Sequence, residues 1–177
     1  MIGSLTMREV RARPLSLSDW SPYGALLAAR DEADAGRSAN QGNARVFDRL
    51  VDLRNARPGA AALNVSAFRA RPRDVSDGLV VELLEKHPRS TQLFVPMGAA
   101  RYLVVVALGG DAPDLSTLAA FVATGRQGVA YGPGVWHHPI VALDEPTDFA
   151  CFVHEDGSAD DCTLCRLDEA SRVRVRV

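Results

Sequence analysis

Apolar and polar residues alternate along most of this chain in short stretches. Met7 to Leu15 alternates loosely through Val10 and Ala12 and predicts a first strand. Ala25–Ala29 reads as a second strand, and the run Arg45–Leu53 as a third. Leu63, Val65 and Ala67 alternate with Asn64, Ser66 and Phe68, which is strand-like over residues 61–70. Leu79–Leu84 is a further apolar run, and Gln92 begins the next strand. Arg101–Leu108 is almost unbroken in its apolar character, which predicts a central strand buried on both faces. Ile140–Leu143 and Asp148–Val153 follow as two more strands, joined by a polar turn. Past His154 the chain is polar and ends in alternating arginine and valine.

Two segments depart from this alternation. Ser16–Gly24 begins with capping residues and predicts a short helix over Ser18–Tyr23, limited by Pro22 and stopped by Gly24. Asp111–Gly125 predicts the clearest helix. Asp114 is its N-cap, Leu115, Leu118, Phe121 and Val122 are its apolar stripe, and Gly125 is its stop. Asp31–Gly42 is small and polar and reads as a surface loop; residues 55–59 and 72–78 read as turns. Many short strands at about ten-residue spacing predict one mainly-β domain over residues 1–177, a sandwich or barrel with a few short helices.

The window with the most specific residue types is Gln127–Pro139, Gln-Gly-Val-Ala-Tyr-Gly-Pro-Gly-Val-Trp-His-His-Pro. Gly132, Pro133 and Gly134 predict a tight turn, and the window reads as a hairpin. Neighbours on an extended strand point to opposite faces, so one of His137 and His138 should face inward and the other outward or toward a subunit.

Charge and cysteine content narrow the function classes. With 20 Lys+Arg against 22 Asp+Glu, the net charge of −2 lacks the basic excess of a general nucleic-acid binder. Lys86 is the only lysine. No apolar run approaches the roughly 20 residues needed for a membrane-spanning helix. Three cysteines, an odd number without a leader pattern, point to a reducing cytoplasm. Cys162-Thr-Leu-Cys165 is a lone CxxC that lacks both the second ligand pair of a structural zinc site and the helix start of a redox motif.

The remaining chemistry gathers in two stretches. Glu85 and His87 share strand parity, Gln92 follows, and His137 lies downstream. This polar set, Glu85-x-His87-x4-Gln92 with Gly134-x2-His137, resembles the two metal-site motifs of cupins, with Glu and Gln at two of the four ligand positions. A divalent metal ion is therefore a candidate cofactor, with Glu85, His87, Gln92 and His137 as its candidate ligands.

A more specific resemblance runs through residues 80–150. Glu85-Lys-His-Pro-Arg-Ser-Thr-Gln92-Leu-Phe-Val-Pro-Met97, Arg101-Tyr-Leu-Val-Val-Val-Ala107, Pro113-Asp-Leu-Ser-Thr-Leu118, Gln127-Gly-Val129, Val135-Trp-His-His-Pro139 and Asp148-Phe149 are similar to the signature blocks of the ureidoglycolate lyase family. Asn40, Gly42 and Arg45 match a looser N-terminal block. Two departures stand out. Val153-His154 replaces an Asp-Arg, and Asp160-Asp-Cys162 replaces an Asp-Asn-Cys.

The resemblance implies a cupin-like jelly-roll barrel, a homodimer, and cleavage of ureidoglycolate to glyoxylate and urea late in allantoin breakdown. Ureidoglycolate is a hemiaminal, so its cleavage needs a base for the hydroxyl proton, an acid for the departing nitrogen and a cation for the carboxylate. His137 and His87 suit the proton transfers, with Glu85 orienting a histidine or serving as the base. Gln92 is expected to bind the urea amide and Arg45 or Arg101 the carboxylate. Tyr131, Asn40 and His138 complete the candidate substrate-binding set. Two other readings remain open: a related barrel enzyme acting on another small carboxylate with metal assistance, and a non-enzymatic small-molecule-binding barrel.

Overall fold

The short alternating stretches fold as strands in a computed structural model that describes residues 7–30, 36–59 and 61–177. In chain order the strands begin with β1 (Arg8–Arg11), β2 (Arg13–Pro14), β3 (Gly24–Leu27), β4 (Arg37–Ala39), β5 (Ala44–Val46) and β6 (Ala62–Ala70). They continue with β7 (Leu79–Val81), β8 (Leu83–Lys86), β9 (Gln92–Pro96), β10 (Tyr102–Ala107), β11 (Ala119–Ala123) and β12 (Gly128–Tyr131). Last come β13 (Trp136–His137), β14 (Val141–Ala142), β15 (Thr147–Glu155), β16 (Thr163–Arg166) and β17 (Val173–Arg176). One short helix, α1 (Leu17–Trp20), is capped by the Ser16 side chain, which accepts from the Asp19 N–H.

The strands form a mainly-β jelly roll with two large sheets facing each other across a shared core. A five-stranded sheet runs β3-β12-β9-β15-β6, and a seven-stranded sheet runs β16-β8-β13-β10-β11-β2, with β14 also on β10. Phe94, Val129, Tyr131, Phe149 and Cys151 of the first sheet pack on Tyr102, Val104, Val106 and Phe121 of the second. The alternate residues of β10, Leu103, Val105 and Ala107, join a second core with Leu79, Val81, Val173 and Val175 of a three-stranded sheet, β1-β17-β7. That double burial is why β10 shows no polar alternation. Each large apolar side chain so buried contributes roughly 1.5–3 kcal/mol.

Four expectations change. The helix expected over Asp111–Gly125 is a single 3-10 turn, Leu115–Thr117, followed by β11. Asp114 does cap that turn. The supposed stripe then divides, with Phe121 entering the core between the large sheets and Leu115, Leu118 and Val122 the other core. A strand buried on both faces carries no polar positions to reveal its period of two.

The hairpin expected at Gln127–Pro139 is instead a crossover. β12 pairs with β3 and β9, whereas β13 pairs with β10 and β8. The turn between them moves the chain from one sheet to the other. The strand expected over Arg45–Leu53 shrinks to β5, which pairs only with β4. Residues 31–35 of the expected loop lie outside the described residues.

Gly24 opens β3 rather than ending α1. Its φ is +153°, and a Cβ there would lie 1.9 Å from the Ala130 carbonyl oxygen, so only glycine lets the β3 and β12 backbones approach. Among the described residues no helix is long and apolar enough to cross a membrane.

Candidate active site

The crossover puts Tyr131 and His137 on opposing sheets, face to face inside the jelly roll. Their rings stack at 4.0 Å between centroids and 5° between planes. Glu85 on β8 pairs in register with His137 on β13, so the two side chains share a face. The His87 ring, just past β8, stacks against His137 at 5.7 Å. Gln92 on β9 pairs in register with Tyr131 and brings its amide to the same interior. Five sequence-predicted residues therefore converge: Glu85, His87, Gln92, Tyr131 and His137.

Main-chain carbonyls set the histidine tautomers. The Nδ1–H of His87 donates to the Asp161 oxygen at 2.7 Å, and that of His137 to the Val135 oxygen at 3.0 Å. A carbonyl can only accept, so each ring keeps its proton on Nδ1 and turns an Nε2 lone pair inward. His137 Nε2 lies 3.5 Å from Glu85 Oε1, too long for a formed hydrogen bond and an ion pair only when the ring is protonated. Four buried polar atoms of this interior have no hydrogen-bond partner: His87 Nε2, Gln92 Oε1, Tyr131 Oη and His137 Nε2. Orphaned buried groups are costly, so their concentration in one place makes this interior the candidate site.

Burial and mutual charge shift the acids and bases. Burial pushes the Glu85 carboxyl up, but the His137 contact and the charges of His87 and His138 outweigh it, and the net direction is down. His87 is held below the ordinary histidine range by burial and then by His137. Burial raises the Tyr131 phenol well above its usual value, so it stays protonated at any working pH. Glu85 reaches the outside through a cavity of about 190 Å³ that it shares with Phe68, Phe94, Pro139 and Ile140. A larger hollow of about 800 Å³, between Arg69, Met97 and Asp148, contains none of the converging residues and is an open surface depression.

The other predicted residues lie elsewhere. Both adjacent histidines are buried, contrary to the inward–outward expectation, because protein covers both sides of β13 and of His138, which follows it. His138 donates its Nδ1–H to the Pro139 oxygen and stands apart from the Glu85–His87–His137 trio. Arg101 is exposed and bound by both arms to Asp144, at 2.6 and 3.0 Å. Asn40 and Arg45 are exposed, and Arg45 donates to the Gly36 oxygen. His154 lies on β15 beside the inward-facing Val153 and so turns outward.

Sequence reasoning missed Arg57, whose side chain is only 6% exposed and pairs with Asp161. Nothing in its turn-like surroundings separates it from the many surface arginines; only an acidic partner in the Asp160-Asp161 pair was visible.

The profile of the ureidoglycolate lyase family matches residues 7–174. The chain belongs to that family. It is 35% identical over 167 residues to the ureidoglycolate lyase of Pseudomonas syringae pv. tomato, covering 94% of this chain and 95% of that protein. Against the ureidoglycolate lyase of Salmonella typhimurium it is 37% identical over 156 residues, covering 88% and 92%. Among solved structures, a dTDP sugar isomerase from Desulfovibrio desulfuricans G20 aligns with a TM-score of 0.47 at 18% identity, over 82% of this chain and 83% of the other.

The donor set of this family member fits a divalent ion. One ligand atom each from Glu85, His87 and His137 lies within 4.8 Å of the others. Two neutral imidazoles and a carboxylate are common ligands, and bonds of about 2.0–2.2 Å need only small side-chain adjustments. Gln92, the fourth ligand expected, keeps its Oε1 in the same interior without a hydrogen-bond partner. Three acceptor atoms aimed at one another call for a cation between them.

Proposed function

We propose that this protein is a ureidoglycolate lyase that releases glyoxylate and urea. The observation that carries the proposal, beside family membership, is the convergence of Glu85, His87 and His137 with two orphaned polar groups, Gln92 Oε1 and Tyr131 Oη. The substrate has the matching parts: a hydroxyl and a carboxylate oxygen, a ureido N–H donor, and a single proton that must move from oxygen to nitrogen.

Glu85, His87 and His137 would hold a divalent ion, which supplies Lewis-acid polarisation of the hydroxyl and carboxylate oxygens when bound. The chain's own residues account for the rest. Glu85 is the member of the trio that lines the cavity, and its lowered pKa keeps it ionised at neutral pH. It takes the hydroxyl proton as the carbonyl of glyoxylate forms and the C–N bond breaks, and it returns that proton to the departing nitrogen to give urea. Gln92 Oε1 accepts from a ureido N–H. Tyr131 Oη, kept neutral, donates to a substrate oxygen. Neither Arg45 nor Arg101 is placed beside the trio, so a divalent ion held there would supply the positive charge for the carboxylate within one chain.

The active form proposed is a cytoplasmic homodimer serving allantoin breakdown. Its support is the outer face of the five-stranded sheet, where Leu63 and Val65 are 43% and 58% exposed beside Ala150 and Phe152. The three cysteines are all unpaired, as suits a reducing compartment.

The test is glyoxylate release from ureidoglycolate by the metal-loaded protein and by His137→Ala, followed with a glyoxylate-specific coupling enzyme. Release by the parent and loss of at least about 100-fold in the variant are expected. No release above the spontaneous rate by the parent, or full activity in a folded His137→Ala, rejects the proposal.

A further inference from the structure

Arg57 lies outside the converging residues, yet its burial at 6% exposure is unusual for a side chain so costly to desolvate. Its guanidinium forms hydrogen bonds through both Nη atoms, and its Nε makes a charge contact without a hydrogen bond. One Nη donates to the His154 main-chain oxygen at 2.7 Å, the other to Asp161 Oδ1, and Nε lies 3.3 Å from Asp156 Oδ2. The Asp161 carboxylate in turn accepts from the Gly157 N–H at 2.7 Å and the Asp156 N–H at 3.1 Å. Residues 156–161 are thus drawn into a tight loop around one carboxylate, held to the body mainly through the buried Arg57, with a longer exposed contact of 3.8 Å from Arg89 to Asp160. The same Asp161 presents its main-chain oxygen to His87 Nδ1 at 2.7 Å.

We infer that Arg57 is a positioning residue for the active site: by gripping the Asp161 carboxylate it fixes the loop whose carbonyl pins the His87 proton on Nδ1 and aims Nε2 at Glu85 and His137. Nothing else among the described residues accepts from His87 Nδ1. Without the grip, the 156–161 loop loses its main anchor, and His87 can rotate or adopt the other tautomer, which places a proton where the lone pair belongs. Outer groups of this kind typically change metal affinity by about 10–100-fold. Lysine cannot replace the arginine, because a single ammonium cannot engage two carboxylates and a carbonyl from fixed directions.

The inference rests on the lyase reading only for its activity arm, and the experiment separates the two. Nitrogen-15 NMR of the imidazoles reports the His87 tautomer, and Co²⁺ titration followed by visible absorption reports the trio's affinity. In the parent, His87 should carry its proton on Nδ1. In Arg57→Ala and Asp161→Asn the tautomers should mix, and Co²⁺ should bind about 10–100-fold more weakly. In the same variants kcat should fall more than KM rises, and Arg57→Lys should not restore either. Asp161→Asn keeps the carbonyl and the residue's volume, so it reports if Arg57→Ala does not fold.

A parent His87 protonated on Nε2 overturns the inference. So do variants that melt lower yet keep the parent tautomer and Co²⁺ affinity. If tautomer and affinity move as expected but the parent releases no glyoxylate, the positioning role stands and the lyase reading fails.

Discussion

Replacing Tyr131 by phenylalanine removes one oxygen and keeps the ring that stacks on His137. The residue is 1% exposed and its hydroxyl has no hydrogen-bond partner. A buried, unsatisfied hydroxyl costs about 1–3 kcal/mol of stability. The ring contacts with Trp20 at 5.6 Å and Phe94 at 6.4 Å survive the substitution. Taking 1–2 kcal/mol as recovered, and about 2–4 °C per kcal/mol for a chain of this size, the melting temperature should rise by about 2–8 °C. Activity should move the other way. A phenol that donates to a substrate oxygen gaining charge is worth about 1.5–3 kcal/mol, so glyoxylate release should fall by about 10-fold or more. Scanning calorimetry and a coupled glyoxylate assay on the same preparation measure both. A lower melting temperature with unchanged turnover refutes the reasoning, because it would mean that the hydroxyl is satisfied structurally and idle in the reaction.

Two further outcomes follow from the ionisation of buried groups. Cys151 is buried, and desolvation pushes its thiol up to about 12, so only about 10⁻⁴ of it is thiolate at pH 8. Iodoacetamide under native conditions should modify Cys165 and Cys162 first and reach Cys151 only on unfolding, which peptide mass spectrometry resolves. Acid should weaken the fold. His87 and His138 both have folded pKa values below the ordinary 6.5, so the unfolded chain binds more protons, and stability is lost as pH falls below about 6.5. Glu85, also lowered, adds a loss of the same sign as pH falls from about 4.5 through its folded value. Urea midpoints should decrease steadily from pH 7.5 to pH 5; a midpoint that rises over that interval contradicts the assignment.

Much of the fold was legible because one face of most strands is polar. β6 and β15 follow alternation, and the apolar run of β10 correctly signalled burial on both sides. β11 was not legible for the same reason that β10 was: a stretch buried on both faces carries no period, and Asp114 with Gly125 then imitated a helix start and stop. The trio was readable from parity at Glu85 and His87 and from the Trp-His-His-Pro block. Its relation to Tyr131 was not, because a turn that crosses between sheets has the same Gly-Pro-Gly composition as one that closes a hairpin. Arginine roles were the least legible. Arg57, Arg101 and Arg45 look alike in sequence, and only tertiary placement shows that the first is buried and the others are exposed.

The parallel pairing of β1 with β17 joins Arg8 to Val173 and Val10 to Val175. A nascent chain therefore carries β1 without its partner until β2 to β16 have been made. Until then Val105 of β10, buried in the finished molecule against the three-stranded layer, lacks part of that cover. A contact spanning so much sequence is expensive to close and forms late. Translation of this protein should thus pass through a stage in which the two large sheets can meet while one apolar face still awaits its last strand, the stage at which chaperone capture or aggregation would compete with folding.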